Sequence, residues 1–151
     1  MKLYTLKRVQ LLKMDIDRVW EYFSSPYNLE EITPDWLGFN VVTKIDSRMY
    51  AGMIIEYRVS PILNIPFKWV TEITHVREPF YFVDEQRFGP YKFWHHQHIF
   101  KEVEGGVEMT DIVNYMLPFY PFGEILSGYV GRKLKDIFDF RSSKIQELFH
   151  P

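Results

Sequence analysis

The sequence predicts an α+β fold: a curved antiparallel sheet wrapped around a long C-terminal helix, in the order strand, two short helices, six strands, one helix. Three observations carry this. The hydrophobic period is 3.6 residues over 15–24, becomes 2 from residue 37, and returns to 3.6 after Pro121. Short breaks marked by glycine and proline join the strand stretches, which makes sequential neighbours antiparallel. The proline-free stretch 122–149 is long enough to cover one face of such a sheet.

Residues 2–12 interleave apolar and β-branched residues with charges and read as a strand. Asp15 and Asp17 stand where the amide dipoles of a first helical turn favour acids. Ile16, Val19, Trp20 and Phe23 follow at helical spacing, giving a helix over 15–24. Ser24-Ser25-Pro26 ends it, and Pro26 opens a second short helix over 26–32 that Pro34 closes. Strands are expected near 38–46, 52–60, 66–77, 80–88, 91–102 and 107–117. Gly105-Gly106 reads as a two-residue hairpin turn, because glycine accepts positive φ. That turn pairs Phe100 with Asp111, His98 with Val113 and His96 with Tyr115. An odd-length loop at Gly89-Pro90-Tyr91 places Asp84 opposite His96. In 122–149 the apolar positions 126, 130, 134, 137, 138, 145 and 148 share one stripe. Arg141 falls inside it, about 20° from Leu134 at 100° per residue. A guanidinium so placed is expected to meet a carboxylate or an anionic ligand.

At 151 residues the chain is expected to form one domain. Eighteen Lys and Arg against twenty Asp and Glu leave a net charge of −2, without the basic surplus of a nucleic-acid binder. The absence of cysteine excludes a disulfide framework, thiolate zinc sites and a cysteine nucleophile. The N-terminus carries scattered charges and no apolar targeting core. The longest ring-rich apolar run, from Tyr115 to Phe122, falls far short of the ~20 residues of a membrane helix. These features lead to the expectation of a cytoplasmic protein with no integral membrane segment and no nucleic-acid partner. Monomer and homodimer both stand, the latter through Phe93, Ile99, Ile112 and Met116 on the outer face. With no glycine-rich phosphate loop, no cofactor is expected.

Alternation along the strands sorts side chains between the two faces. The even residues Trp94, His96, His98 and Phe100 share a face with Met109, Asp111, Val113, Tyr115 and Leu117, and this set is assigned to the interior. Phe82, Asp84 and Gln86 join it from the preceding strand, Trp69, Thr71 and Ile73 from the one before, and Met53, Ile55, Tyr57 and Val59 from the one before that. The result is an aromatic surface studded with polar groups. Buried polar groups cost free energy unless paired, so a cavity between sheet and helix is expected, wet or ligand-filled. Its expected wall is Tyr57, Trp69, Thr71, Phe82, Gln86, Trp94, Phe100, Val113, Tyr115, Phe138 and Arg141. This wall holds seven of the 27 aromatic residues that make up 18% of the chain.

The order of elements resembles the helix-grip fold of the START-like superfamily, also called SRPBCC. More narrowly, the chain is similar to small bacterial ligand-binding or cyclase/dehydrase-like members. The matching stretches are Val19-Trp20, Asn28-Leu29-Glu30-Glu31-Ile32-Thr33-Pro34, Asp84-x-Gln86, Gly89-Pro90-Tyr91, Trp94-x-His96-x-His98-x-Phe100, Thr110-Asp111-x-Val113-x-Tyr115 with Pro118, and Phe138-x-x-Arg141. The resemblance spans almost the whole chain and implies the fold. Function follows less directly, since this fold hosts carriers, receptors and enzymes.

Three functions are expected to compete. In the first, the cavity binds a hydrophobic or aromatic small molecule, lipid- or polyketide-like, whose polar end is oriented by Arg141, His96, His98, Asp84 and Asp111. In the second, the protein is a cyclase, dehydratase or isomerase acting on a carbonyl substrate, with His96 or His98 as acid/base and Asp84 or Asp111 as its orienter. In the third, a regulatory module keeps a vestigial cavity. His96-x-His98 vaguely resembles a cupin metal motif, but the glycine spacing is off by one and the second cupin motif is absent. No metal is expected; a bound zinc or iron would need a third ligand such as Asp84 or Asp111.

Overall fold

The computed structural model describes residues 1–62 and 64–150, the side chain of Ile62 excepted. Strand β1 (Tyr4–Leu12) leads into helices α1 (Ile16–Phe23) and α2 (Pro26–Glu31) and a 3-10 turn at Asp35–Leu37. Six strands follow: β2 (Asn40–Val41), β3 (Met53–Ile62), β4 (Ile65–Arg77), β5 (Tyr81–Phe88), β6 (Phe93–Val103) and β7 (Gly106–Met116). Helices α3 (Phe122–Ile125) and α4 (Ser127–Phe149) complete the chain. Every neighbouring pair in the sheet is antiparallel, in the order β1-β7-β6-β5-β4-β3-β2. Because β1 and β2 are the two edges, α1 and α2 must carry the chain from one edge to the other. This is the architecture expected from the periodicity.

Local chemistry sets these elements. The Asp15 carboxylate caps α1 by accepting the Arg18 amide at 3.0 Å. Ile16, Val19 and Trp20 are the buried face of that helix. Pro26 occupies the first turn of α2, where its missing N–H costs nothing. Inside, Trp20 sets its ring edge-on to Phe82 and Phe100, with centroids 5.8 and 6.1 Å away. Leu12, Val107, Met109 and Ile145 close the same cluster. At the other end Trp94, Val113, Tyr115 and Leu117 pack on Leu134 and Phe138 of α4. Polar ties hold α4 to the edge strand: Arg8 pairs with Asp139 at 3.0 Å, and the Gln10 amide donates to the Ser142 carbonyl at 3.0 Å.

The structure corrects three expectations. The strand expected over 38–46 shrinks to Asn40–Val41. The amides of Val42 and Thr43 both point at the Glu56 carbonyl, at 2.8 and 3.3 Å, and the Thr43 hydroxyl accepts the Glu56 amide, so the ladder ends there. The helix expected over 122–149 divides at Leu126, whose amide reaches back three residues to Gly123 instead of four. The third correction concerns the β6–β7 hairpin, which turns at Glu104-Gly105 with Val103 opposite Gly106. Gly106, at φ 149°, lies inside β7 against the Leu12 carbonyl with no room for a Cβ. It serves the end of β1, so the turn falls one residue earlier. Partners therefore shift by two: His98 faces Asp111, His96 faces Val113 and Phe100 faces Met109. A shift of two preserves every side chain's face.

Two isoleucines of the C-terminal helices test this packing. Ile145 of α4 is fully buried, while Ile125 of α3 is 78% exposed. Ile145→Ala is expected to lower unfolding stability in urea by about 2–5 kcal/mol. Ile125→Ala should stay within about 0.5 kcal/mol of the parent. Equal losses at the two sites would contradict the placement of α4.

Candidate functional site

Three adjacent strands supply the polar residues of the concave face. Asp84 on β5 stands opposite His96 on β6, and His98 on β6 stands opposite Asp111 on β7. Strand alternation turns all four side chains inward, and they form a closed ring of contacts. The Oδ2 atom of Asp84 meets His98 Nε2 at 2.6 Å and His96 Nδ1 at 3.4 Å. The Oδ1 atom of Asp111 meets His96 Nε2 at 2.7 Å and His98 Nδ1 at 3.3 Å. The imidazole centroids lie 3.8 Å apart, and Phe82 stacks on His98 at 3.9 Å. The Trp94 indole N–H donates to the second Asp84 oxygen at 3.3 Å. The expected catalytic set is thus brought together as one unit. The register that does so differs from the expected one only by the two-residue shift.

Burial and pairing compete at each group. Burial pushes the Asp111 carboxyl up, but hydrogen bonds and charge from the two imidazoles hold it well below the carboxylate range. Asp84 is likewise pushed up by burial and pulled further down by His96, His98 and Trp94, so it ends below its usual value. Burial also pushes His98 down, yet its bonds to Asp111 and Asp84 win and raise it. At His96, burial and the neighbouring imidazole prevail over the two carboxylates and lower it. The two carboxylates therefore favour the charged form of His98, while burial and its imidazole neighbour favour the neutral form of His96. Arg141 supplies a further positive charge. Burial lowers its pKa while Asp111 and Asp84 act against that.

A cavity of about 50 Å³ adjoins this ring between α1–α2, the sheet and α4. Asp84, His98, Asp111 and Arg141 form its polar side; Phe23, Leu29, Met49 and Ile55 belong to its apolar side. A second cavity, about 30 Å³, lies between β1 and α4 and touches Asp111, Phe138 and Arg141. Arg141 therefore borders both. Its cation rests 4.7 Å from the Phe138 ring centroid, and its Nε is buried without a hydrogen-bond partner. Among the expected wall residues, Tyr57 and Phe82 also border the larger cavity.

Trp69, Thr71, Gln86, Trp94, Phe100, Val113, Tyr115 and His96 border neither cavity. The rings among them fill space on one another. Trp69 meets Trp94 edge-on at 5.1 Å, and Tyr91 bridges Trp69, Trp94 and Tyr115. Gln86 spends its amide on the β5–β6 turn, donating to the Tyr91 carbonyl at 2.7 Å and accepting the Tyr91 amide at 3.1 Å. Of the two histidines, His98 is the one that borders the larger cavity. Strand-by-strand alternation missed the opposite wall, Tyr22, Phe23, Asn28 and Leu29 of α1–α2 and Met49. The amphipathic face of α1 is the signal that could have revealed its share.

Acid unfolding tests the electrostatics of the ring. Asp84 and Asp111 lie below the ordinary 3.8, so the folded state binds fewer protons than the unfolded chain. Their stabilisation is present above that value and is lost as pH falls through it and below. His96, lowered from 6.5, adds a loss of the same sign below pH 6.5. His98, raised from 6.5, acts oppositely: its contribution is present below 6.5 and lost as pH rises through its folded value. The urea midpoint is therefore expected to fall steeply below about pH 4. At pH 7 Asp111→Asn should cost about 3–5 kcal/mol, because it leaves a buried charge uncompensated. It should also flatten the acid limb, and parent-like stability of this variant would count against the ring as the compensating unit.

No protein-family model matches the chain, and no curated protein matches it by sequence. Solved structures do. Protein Ms6760 from Mycobacterium smegmatis is 19% identical, with a TM-score of 0.68 over 98% of this chain and 96% of that one. Protein CV1439 from Chromobacterium violaceum is 11% identical, with a TM-score of 0.70 over 97% of each chain. Major latex-like protein 151 from Panax ginseng is 16% identical, with a TM-score of 0.68 over 99% of each. Among the described residues, no helix is long and apolar enough to cross a membrane. Identities this low carry the architecture and nothing finer: the chain has the helix-grip fold, its sheet curved around α4 with the Asp–His ring on the concave side.

Proposed function

We propose that the protein binds a small hydrophobic or aromatic molecule with a polar, electron-rich end, held between α1–α2, the concave sheet and α4. One observation carries this reading: a cavity that joins apolar residues of α1, α2 and β3 to the charged ring is bordered by Arg141, whose buried Nε has no hydrogen-bond partner. Leaving a buried donor unsatisfied costs about 1–3 kcal/mol, more for a charged group. A ligand acceptor at Arg141 removes that cost while the ligand's ring displaces water from Phe23, Leu29 and Ile55. A fully vestigial interior is less economical, since it keeps both the void and the orphan donor.

The cavity limits what enters. About 50 Å³ holds a few water molecules, whereas benzene occupies an engineered cavity of about 150 Å³. A ring must therefore push part of the wall outward. The wall best suited to yield is the segment around Met49, because residues 42–52 carry almost no regular hydrogen-bonded structure. A lipid-sized ligand would need a larger opening than a single ring.

Benzoate and toluene test the reading in solution by amide and methyl NMR shifts. Both probes are expected to perturb Ile55 and Met109 of the cavity wall. Arg141→Met should weaken benzoate at least tenfold and leave toluene nearly unchanged. The absence of any cavity perturbation by either probe at millimolar concentration would overturn the proposal.

A further inference from the structure

The ring of aspartates and histidines has a second property, independent of what fills the cavity. One ring nitrogen from each histidine and one oxygen of Asp84 lie within 4.8 Å of one another. The nitrogens facing Asp84 Oδ2 are His98 Nε2 at 2.6 Å and His96 Nδ1 at 3.4 Å. Zinc bonds of about 2.0–2.2 Å would set tetrahedral ligand atoms about 3.4 Å apart. The two observed distances lie at and below that value, so a small outward movement of the His98–Asp84 pair admits an ion.

The outer contacts decide between an accidental cluster and a built site. A metal-bound histidine ordinarily donates its other ring N–H to a carboxylate, which fixes its tautomer and orientation. Here Asp111 Oδ1 faces both remaining ring nitrogens, His96 Nε2 at 2.7 Å and His98 Nδ1 at 3.3 Å. The non-ligating oxygen of Asp84 accepts the Trp94 indole N–H. Phe82 stacks against His98 and holds its plane. Every candidate ligand therefore has its second atom or its ring face already held. Asp84 keeps 19% side-chain exposure against 5% for Asp111, so the Asp84 side is the open one. Asp84 and His98 both border the cavity, which leaves room beside the ion for a water or ligand atom.

We propose that Asp84, His96 and His98 form a binding site for one divalent first-row transition metal, with Asp111 and Trp94 as its supporting groups. Two imidazoles and a carboxylate without thiolate suit zinc, iron(II), cobalt(II) or nickel(II) better than calcium or copper(I). The absence of a recognisable metal motif in the sequence follows from the topology. The third ligand comes from β5, and the carboxylate that orients both imidazoles comes from β7.

Chelator-stripped protein titrated with Zn²⁺ alone tests the site without reference to any organic ligand. One ion per chain is expected, with the ring signals of His96 and His98 moving while those of His75, His95 and His150 stay in place. Asp84→Asn should abolish tight binding, and Asp111→Asn should weaken it about 10–100-fold. Should either variant fail to fold, the histidine signals of the unmodified protein decide alone. No stoichiometric uptake, or shifts confined to His75, His95 or His150, would overturn the proposal, as would unchanged affinity in folded Asp84→Asn. Benzoate binding by the zinc-free protein is read separately, so the two proposals fail independently.

Discussion

Two carboxylates on the inner face of a sheet, Asp111 buried and Asp84 nearly so, constrain most of what surrounds them. Asp84 and Asp111 cannot be left alone in a medium of low dielectric constant, and each is met by two imidazole nitrogens. Those partners come from neighbouring strands, so β5, β6 and β7 must lie side by side and in register. The ring needs a roof that excludes bulk water, which α4 provides with Phe138 and Arg141. It also needs side walls, which the aromatic clusters at either end supply. Electrostatic support extends outward to Arg141, whose guanidinium is held charged against burial by Asp111 and Asp84.

Parity was the legible part of this arrangement. Alternation together with the parity of the two hairpin loops sorts His96, His98, Asp84 and Asp111 onto one face, and the odd-length loop at Gly89-Pro90-Tyr91 places Asp84 opposite His96, as found. The absolute pairing of β6 with β7 was harder, because two adjacent glycines offered two possible turns. The choice depended on β1, a strand about a hundred residues away in the chain. Gly106 is glycine because of the Leu12 carbonyl beside it, a contact that no local pattern reports. The division of the C-terminal stretch at Leu126 was similarly hidden, since no proline or glycine marks that position.

The aromatic content was harder still to interpret. Periodicity says that a ring points inward, but not whether it meets another ring or an empty space. Trp69, Tyr91, Trp94 and Tyr115 meet one another, and Trp20, Phe82 and Phe100 do the same at the opposite end. Edge-to-face contacts are favourable in themselves, so rings gathered on a concave face close it as readily as they line it. The void that remains is correspondingly small. It lies where the rings give way to charged groups, which cannot collapse onto apolar neighbours without losing their partners.

The tight β6–β7 hairpin has an evolutionary consequence. Because side chains alternate with a period of two, the loop can gain or lose a pair of residues and leave every inward-facing group on its own face. A single-residue insertion within either strand is different in kind. In β6 it would turn His96 and His98 outward in place of His95 and Gln97, leaving Asp84 and Asp111 without partners; in β7 it would turn Asp111 itself outward. Length variation among descendants of this chain is therefore expected in the loop itself and in stretches such as 42–52, and not within β6 or β7.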